Sequence, residues 1–116
     1  MNAEELRNYC LDKKEVTESL PFGEDILVFK VFNKMFLLMA LNKDPLSISV
    51  KTSPERSVLL REEYPEITPG YHLNKKHWNS LKINGNVPSS LIFSLIDESY
   101  RLVVNSLPKK LKNKIK

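Results

Sequence analysis

Apolar and polar positions alternate along much of the first half of the chain, and a period of two predicts β-strands. One run is apolar at every position, which predicts a central strand covered at least partly on both faces. Its neighbours alternate, so each should bury mainly one face. The predicted strands are residues 26–32, 35–41 and 46–51. The turns between them, Asn33-Lys34 and residues 42–45, are short, so neighbouring strands must run antiparallel.

A period near 3.6 residues predicts three helices. The first covers residues 2–14 and starts at the capping residue Asn2. The second starts at Ser53-Pro54-Glu55, which combines a capping serine, a proline at the first helical position and an acid in the first turn. It should end near Tyr64, because Pro65 disfavours helical geometry before it. The third and longest helix follows Pro88 and runs to about Leu107.

A further strand is predicted up to Ile83, before the tight-turn sequence Asn84-Gly85. The order is then helix, three strands, helix, one or two strands, helix. This order predicts an α+β two-layer sandwich, an antiparallel sheet with three helices on one face. A chain of 116 residues is enough for one domain. We expect a single domain over residues 1–108 and a basic C-terminal tail over residues 109–116.

The formal net charge of +4 belongs to this tail rather than to the domain. Five lysines stand among the last eight residues, with no acid, and the rest of the chain holds 13 basic against 14 acidic residues. A nucleic-acid function must therefore rest on where the charges lie within the domain. The tail itself is expected to fray.

Other features exclude classes of function. No apolar run approaches the roughly 20 residues of a membrane span, and the first residues do not form a signal peptide. The single cysteine, Cys10, cannot form an internal disulfide and is typical of a cytosolic protein. No nucleophile elbow, phosphate-binding glycine loop or HExxH sequence is present. We expect a cytoplasmic monomer without enzymatic activity, cofactor or membrane attachment.

Residues 69–79 concentrate the side chains that meet phosphates and flat rings. This stretch holds both histidines, the only tryptophan and a Lys-Lys pair, and no acid interrupts it. After Trp78 the alternation predicts a strand with Ser80 and Lys82 on the side of Trp78, and with Asn79 on the opposite side. The alternative for Trp78 is a core residue, since large aromatic side chains are usually mostly buried.

If the helices cover the face that carries Ile48, Val50 and Leu81, the opposite face is rich in lysine and serine and has no carboxylate. That face carries Lys30, Ser47, Ser49, Lys51, Trp78, Ser80 and Lys82. Such a surface suits phosphate contacts and base stacking. The alternative is an ordinary solvated face, which antiparallel sheets commonly have.

Five segments, in order along nearly the whole chain, resemble the MmcQ/YjbR family of small bacterial proteins. They are residues 21–25, 62–65, 69–79, 99–103 and 107–110. The resemblance implies a frataxin-like (CyaY-like) α+β fold. The family is often labelled DNA-binding, because its sheet resembles the double wing of a phage transcription factor. That label is an inference from shape, and fold does not imply function.

These observations give one main hypothesis, in which the open sheet face and residues 74–78 bind duplex DNA, mainly through its phosphates. The predicted contact residues are Lys30, Lys51, Asn74, Lys75, Lys76, His77, Trp78 and Lys82. Few arginine or amide side chains are available to read bases, so sequence specificity should be modest.

The alternative is a binding site for a small anionic ligand or for another protein. It would form if Tyr71, His72, His77 and Asn79 converge in one cleft, or if the same cluster acts as a protein-interaction hot spot. A metal site is not expected. The two histidines are five residues apart, which matches no common helical ligand pair, and no cysteine or acid stands nearby in sequence.

Overall fold

The computed structural model describes residues 1–70 and 73–115. Ten elements follow one another along these residues. They are α1 (Ala3–Leu11), β1 (Val16–Ser19), β2 (Ile26–Val31), β3 (Lys34–Ala40), β4 (Ser47–Lys51), α2 (Pro54–Glu63), β5 (Ile67–Pro69), β6 (Trp78–Lys82), α3 (Ser89–Asn105) and α4 (Lys109–Lys112). No helix in these described ranges is long and apolar enough to cross a membrane.

The strands form one sheet in the order β1-β2-β3-β4-β6-β5, and every neighbouring pair is antiparallel. This arrangement confirms the predicted α+β class. The edge strand β1 was not predicted. It has only four residues, and its burial alternates between half-buried and exposed positions. So short a stretch carries little periodic signal.

The helices cover one face of this sheet. A single apolar cluster joins Leu6 of α1, Leu60 of α2 and Ile96 of α3 to the inward side chains of the strands, such as Phe29 and Ile48. On α3 the inward stripe includes the buried Ser99, whose hydroxyl donates to the carbonyl of Phe36 and accepts from the backbone N–H of Lys51. The longest helix is therefore tied to two central strands by a polar contact as well as by packing.

The local signals at the helix starts are confirmed. The Asn2 side chain accepts a hydrogen bond from Glu5 N at 2.9 Å, and Ser53 Oγ accepts one from Arg56 N at 3.3 Å. The first helix ends at Leu11, three residues before the predicted end, and Glu15 then takes a positive φ of 62° before β1 begins.

Two turns refine the prediction. The β2–β3 turn lies at Phe32-Asn33, one residue earlier than expected, and both residues have positive φ (46° and 68°). Two successive positive φ angles are typical of the type I′ turn that joins two-residue hairpins. The tight turn at Asn84-Gly85 is present, with φ of 91° at Gly85 and a hydrogen bond from Asn86 N to Asn84 Oδ1, but it leads into α3 rather than closing a hairpin.

The C-terminal tail differs from the prediction of a frayed segment. Residues 109–112 form the short helix α4, and Leu111 and Ile115 pack, partly buried, against the core. The two apolar residues are four apart, so both lie on the same side of a helical turn. The sequence signal was hidden by the lysines that surround them.

Candidate nucleic-acid interface

The face of the sheet opposite the helices, called here the open face, is divided into two halves. One row of directly paired residues crosses it from Val28 through Leu38, Ser49 and Ser80 to Thr68. The row is apolar on β2 and β3 and carries hydroxyls on β4, β6 and β5. The Ser49 and Ser80 hydroxyls are 2.9 Å apart and hydrogen-bonded across the strands. The serines lie where the sequence placed them, but half of this face is apolar.

A small groove of about 190 Å³ lies where the two halves meet, since Ser47, Ser49 and Ser80 line it together with apolar side chains. Its walls include Ile26, Leu38 and Ala40 from the sheet, Leu73 from the segment before β6, and Lys43 at one end. The apolar run of β3 predicted partial cover on both faces. Leu73 could not be recognised as part of that cover, because its approach to β3 depends on how the chain returns after β5.

Lysines collect at one end of the open face. The pairing of Lys30 with Met35, and of Leu37 with Val50, puts Lys30 and Lys51 at the same end of the sheet. Since their strands are separated only by β3, the two backbones are about 10 Å apart. Both side chains are half-buried. The neighbour of Lys51 on β6 is Trp78.

Residues 74–77 form a turn at this same end and add two exposed lysines, Lys75 and Lys76. Thr52 N, directly after β4, donates to His77 O at 2.7 Å, which places the turn beside the end of that strand. We call Lys30, Lys51, Lys75 and Lys76 the basic end. Among residues 1–70 and 73–115, no ion pair involves any of these four lysines.

The 74–77 turn is fixed from two sides. From α2, Arg61 donates to Lys75 O at 2.5 Å and to Trp78 O at 3.3 Å. Within the turn, Asn74 Oδ1 accepts from Lys76 N at 3.0 Å, and Asn74 O accepts from Trp78 N at 2.9 Å. The backbone that carries the two lysines is therefore held in place while their side chains reach into solvent. The Asn74 side-chain oxygen belongs to this turn, so its predicted contact with DNA has a structural competitor.

Lys82 does not belong to the basic end. It pairs with Ser47 at the opposite end of β4 and β6, about 13 Å from Trp78 along the strand. Glu66 lies beside it and accepts a hydrogen bond from Asn86 at 2.9 Å. That hydrogen bond, with a smaller effect from the charge of Lys82, holds the pKa of Glu66 below its usual value. The single basic surface predicted from sequence is thus split, and Lys82 faces a carboxylate that is ionised at neutral pH.

The structure corrects the prediction for Trp78. Its side chain is almost entirely buried, with 9% of the residue exposed, so its ring is not available to stack on bases. A side-chain carbon on Gly70 would lie 2.9 Å from Trp78 Cβ, which shows how closely the neighbouring chain approaches. This burial agrees with the alternative interpretation of a mostly buried tryptophan, although Trp78 pairs with Lys51 and lies outside the apolar cluster under the helices. His77, next to it, is half-buried.

The burial of Asn79 also argues against its predicted contact with a ligand. Asn79 is 1% exposed and points to the helix side of the sheet. Its amide donates to Thr52 Oγ1 at 2.6 Å and to Ser57 Oγ at 2.9 Å, and its oxygen accepts from Arg61 Nε at 2.6 Å. The Thr52 and Ser57 hydroxyls are bonded to each other as well. These contacts use the hydrogen-bonding groups of Asn79 inside the fold.

Two of the four residues of the predicted cleft, His77 and Asn79, belong to the described part of the chain. Tyr71 and His72 lie outside the described residues. Of the other two, Asn79 is buried on the covered face, as described above. In the described part of the chain, no three histidine, cysteine or acidic side chains lie close enough together to hold a metal ion.

Comparisons with known proteins give a consistent result. A family model described as YjbR matches residues 11–102. The chain is 35% identical over 108 residues to the protein YjbR of Escherichia coli K12, which covers 93% of this chain and 92% of that protein. It is 40% identical over 90 residues to the protein YbdF of Escherichia coli O157:H7, which covers 78% of this chain and 74% of that protein.

Solved structures agree with these sequence matches. The crystal structure of the protein DR2400 of Deinococcus radiodurans, with domain DUF419, superposes with a TM-score of 0.93 at 38% identity and covers 98% of this chain and 87% of that one. The crystal structure of a protein from Pseudomonas syringae gives a TM-score of 0.77 at 30% identity, covering 89% of this chain and 99% of that one.

Proposed function

This chain belongs to the YjbR family, and we propose that it is a DNA-binding module that contacts the phosphates of a duplex through its basic end. The proposal needs no catalytic step and no cofactor. It treats the protein as a monomer that works in the cytoplasm, where bacterial DNA is found. In this proposal the β2–β3 hairpin, which carries Lys30, lies against the duplex in the manner of the double wing that the family resemblance implies.

The observation that carries the proposal is the convergence of four lysines from three separate parts of the chain. Lys30 comes from β2, Lys51 from β4, and Lys75 and Lys76 from the 74–77 turn. The roughly 10 Å between the backbones of Lys30 and Lys51 is close to the roughly 12 Å width of the B-DNA major groove. Long lysine side chains from such positions can reach phosphates on both sides of that groove.

A second support is that the binding surface is built before a ligand arrives. Arg61 and Asn74 hold the backbone of the 74–77 turn, so binding has to order only the lysine side chains. Three other basic side chains of the described chain are paired with acids, Arg7 with Glu18, Lys13 with Asp97 and Arg56 with Glu98, whereas no acid is paired with the lysines of the basic end. The lysines of the basic end keep their charge available for phosphates.

The proposed binding is largely independent of DNA sequence. Trp78 is buried and the Asn74 side-chain oxygen serves the turn, so few groups remain at this end to read base edges. Affinity then comes mainly from counterion release and should fall steeply with salt.

A salt titration of DNA binding with charge-reversal variants tests the proposal. Lys75→Glu/Lys76→Glu should weaken binding to every duplex and lower the log–log salt slope by roughly 1.8, since each phosphate contact contributes about 0.9. The matched control is Lys43→Glu/Lys82→Glu, which changes the net charge equally at the opposite end of the open face. If both double variants weaken binding equally, a general charge effect is at work and the assigned site is wrong.

The tail lysines need their own control, because they could supply nonspecific affinity by themselves. Removing the tail would also remove Leu111 and Ile115 from the core, so substitution is the cleaner approach. Lys109, Lys110 and Lys114 are exposed and can be changed to glutamine with the apolar residues kept. The proposal requires this variant to bind DNA at low salt. Loss of all binding would assign the affinity to the tail and not to the basic end.

A further inference from the structure

The outward side of α2 exposes two neighbouring aliphatic side chains. Val58 is 54% exposed and Leu59 is 65% exposed, whereas Ser57 and Leu60 on the inward side are buried. Single exposed apolar residues are common, but adjacent ones beside a groove indicate a contact surface. Neither residue takes part in the basic end, which α2 meets through Ser57 and Arg61 on its other side.

A groove of about 540 Å³ runs beside these residues, between α2 and α3. Leu59 and Leu60 line it from α2, Leu91 lines it from α3, and Tyr64 and Pro88 lie in the adjoining connections. The lining also includes Arg56, Glu63, Ser90 and Ser94. The exposed Leu59 is thus continuous with a depression of mixed apolar and polar walls that a partner's side chains could fill.

Acids flank the apolar centre of this stripe. Glu55, Glu62 and Glu63 are exposed and share the outward side of α2 with Val58 and Leu59, at the spacing of one helical face. Both arginines of the helix have partners, although Arg56 also lines the groove. Arg56 pairs with Glu98 at 3.3 Å, and Arg61 is bonded to Asn79 and to the 74–77 turn. The surface therefore combines an apolar centre with a rim of three glutamates, and the charge of Arg56 at the groove is balanced by Glu98.

We propose that this surface docks an amphipathic helix of a partner protein whose polar side is basic. Leucine-like side chains of that helix fill the groove next to Leu59, and its lysines or arginines lie against Glu55, Glu62 and Glu63. Charge complementarity favours a partner helix with positive charge, and the apolar contact supplies most of the affinity. The surface is separate from the basic end, so both partners can be bound at once.

Two peptides of the same length test this docking site by NMR titration of the labelled full chain. Both carry leucines at helical spacing, and their remaining positions are lysine in one and glutamate in the other. The lysine peptide should bind and shift the amide signals of Val58, Leu59 and Glu62, and the glutamate peptide should not. No binding, equal binding of both peptides, or shifts centred on the acids of α1 would overturn the proposal.

Variants sharpen the result. Leu59→Ser should weaken binding of the lysine peptide roughly tenfold without changing thermal unfolding, because the side chain is exposed and acts as an anchor. Glu62→Lys/Glu63→Lys should reverse the preference between the two peptides. Lys75→Glu/Lys76→Glu should leave peptide binding unchanged. If the protein alone self-associates and Leu59→Ser abolishes this, the occupant is a second copy and the proposed partner is wrong.

Discussion

On the covered side of the sheet, Asn79 of β6 and Ser99 of the overlying α3 are buried and engaged in hydrogen bonds between elements, whereas on the open face Lys30 and Lys51 are half-exposed and gathered at one end. Polar side chains on the covered face thus connect helices to strands. Those on the open face leave charge facing the solvent. The difference shows that buried polar side chains on the covered side are held between elements, whereas the lysines of the open face keep their charge toward solvent.

The strongest test of this comparison removes the most connected polar side chain of the covered face. Asn79→Ala should lower the free energy of unfolding by about 2–4 kcal/mol, because three hydrogen bonds are lost and Thr52, Ser57 and Arg61 lose a buried partner. Chemical denaturation measures the change. Asn8→Ala, at an exposed position of α1, is the control and should leave stability nearly unaltered. A stable Asn79→Ala protein would contradict the role given to this network.

A smaller loss is expected for the polar contact between α3 and the central strands. Ser99→Ala removes the hydroxyl that bonds both Phe36 O and Lys51 N, and should cost about 1–3 kcal/mol. The same substitution at the exposed Ser94 in the same helix serves as the control, to be compared by thermal or chemical unfolding. Equal effects at both positions would show that burial does not distinguish them.

Substitution of a lysine on the open face should change DNA binding but not the free energy of unfolding. Lys51→Gln is expected to change the free energy of unfolding by less than about 0.5 kcal/mol, since the lysine has no ion-pair partner in the described part of the chain. If the proposed DNA site is correct, the salt slope of DNA binding should fall by roughly 0.9. A large stability loss with an unchanged slope would place Lys51 with the structural residues.

The smallest effect concerns an ion pair at the edge of the sheet. The hydrogen bond from Arg7 lowers the pKa of Glu18, so the folded state favours its ionised form. The resulting stability is present above the unfolded pKa and is lost as the pH falls through the folded pKa. The pair is substantially exposed, so the gain is small. Glu18→Gln should slightly reduce the loss of unfolding free energy at acidic pH, measured by chemical denaturation at several pH values. The same pH dependence in both proteins would show that the pair contributes nothing.

Local sequence signals predicted much of this fold but only part of the site. The cap at Ser53 and the turn at Asn84-Gly85 depend on nearby residues, so they could be recognised directly. The alternation after Trp78 also placed Asn79 on the side of Leu81, away from the open face. Its role was missed, because its partners Thr52 and Ser57 are more than 20 residues away and their approach depends on how α2 packs.

Dependence on distant contacts also explains why Lys82 was wrongly grouped with the lysines of the basic end. Strand alternation identified Lys51 and Lys82 as residues of one face, and this is what the pairing shows. Alternation does not say at which end of the sheet the 74–77 turn comes to lie. That position is fixed by Arg61 and Thr52 through contacts with backbone carbonyls, and such contacts leave no pattern in the sequence.

Arg61 has a further consequence for the dynamics of the domain. One guanidinium group joins α2 to the 74–77 turn and to β6, so local opening of any of these three should also disturb the other two. A ligand that holds the turn would then slow amide hydrogen exchange in the last turns of α2, at residues that it does not touch. Slower amide exchange in α2 would then indicate that a ligand is bound at the 74–77 turn, because the hydrogen bonds of Arg61 connect the two segments.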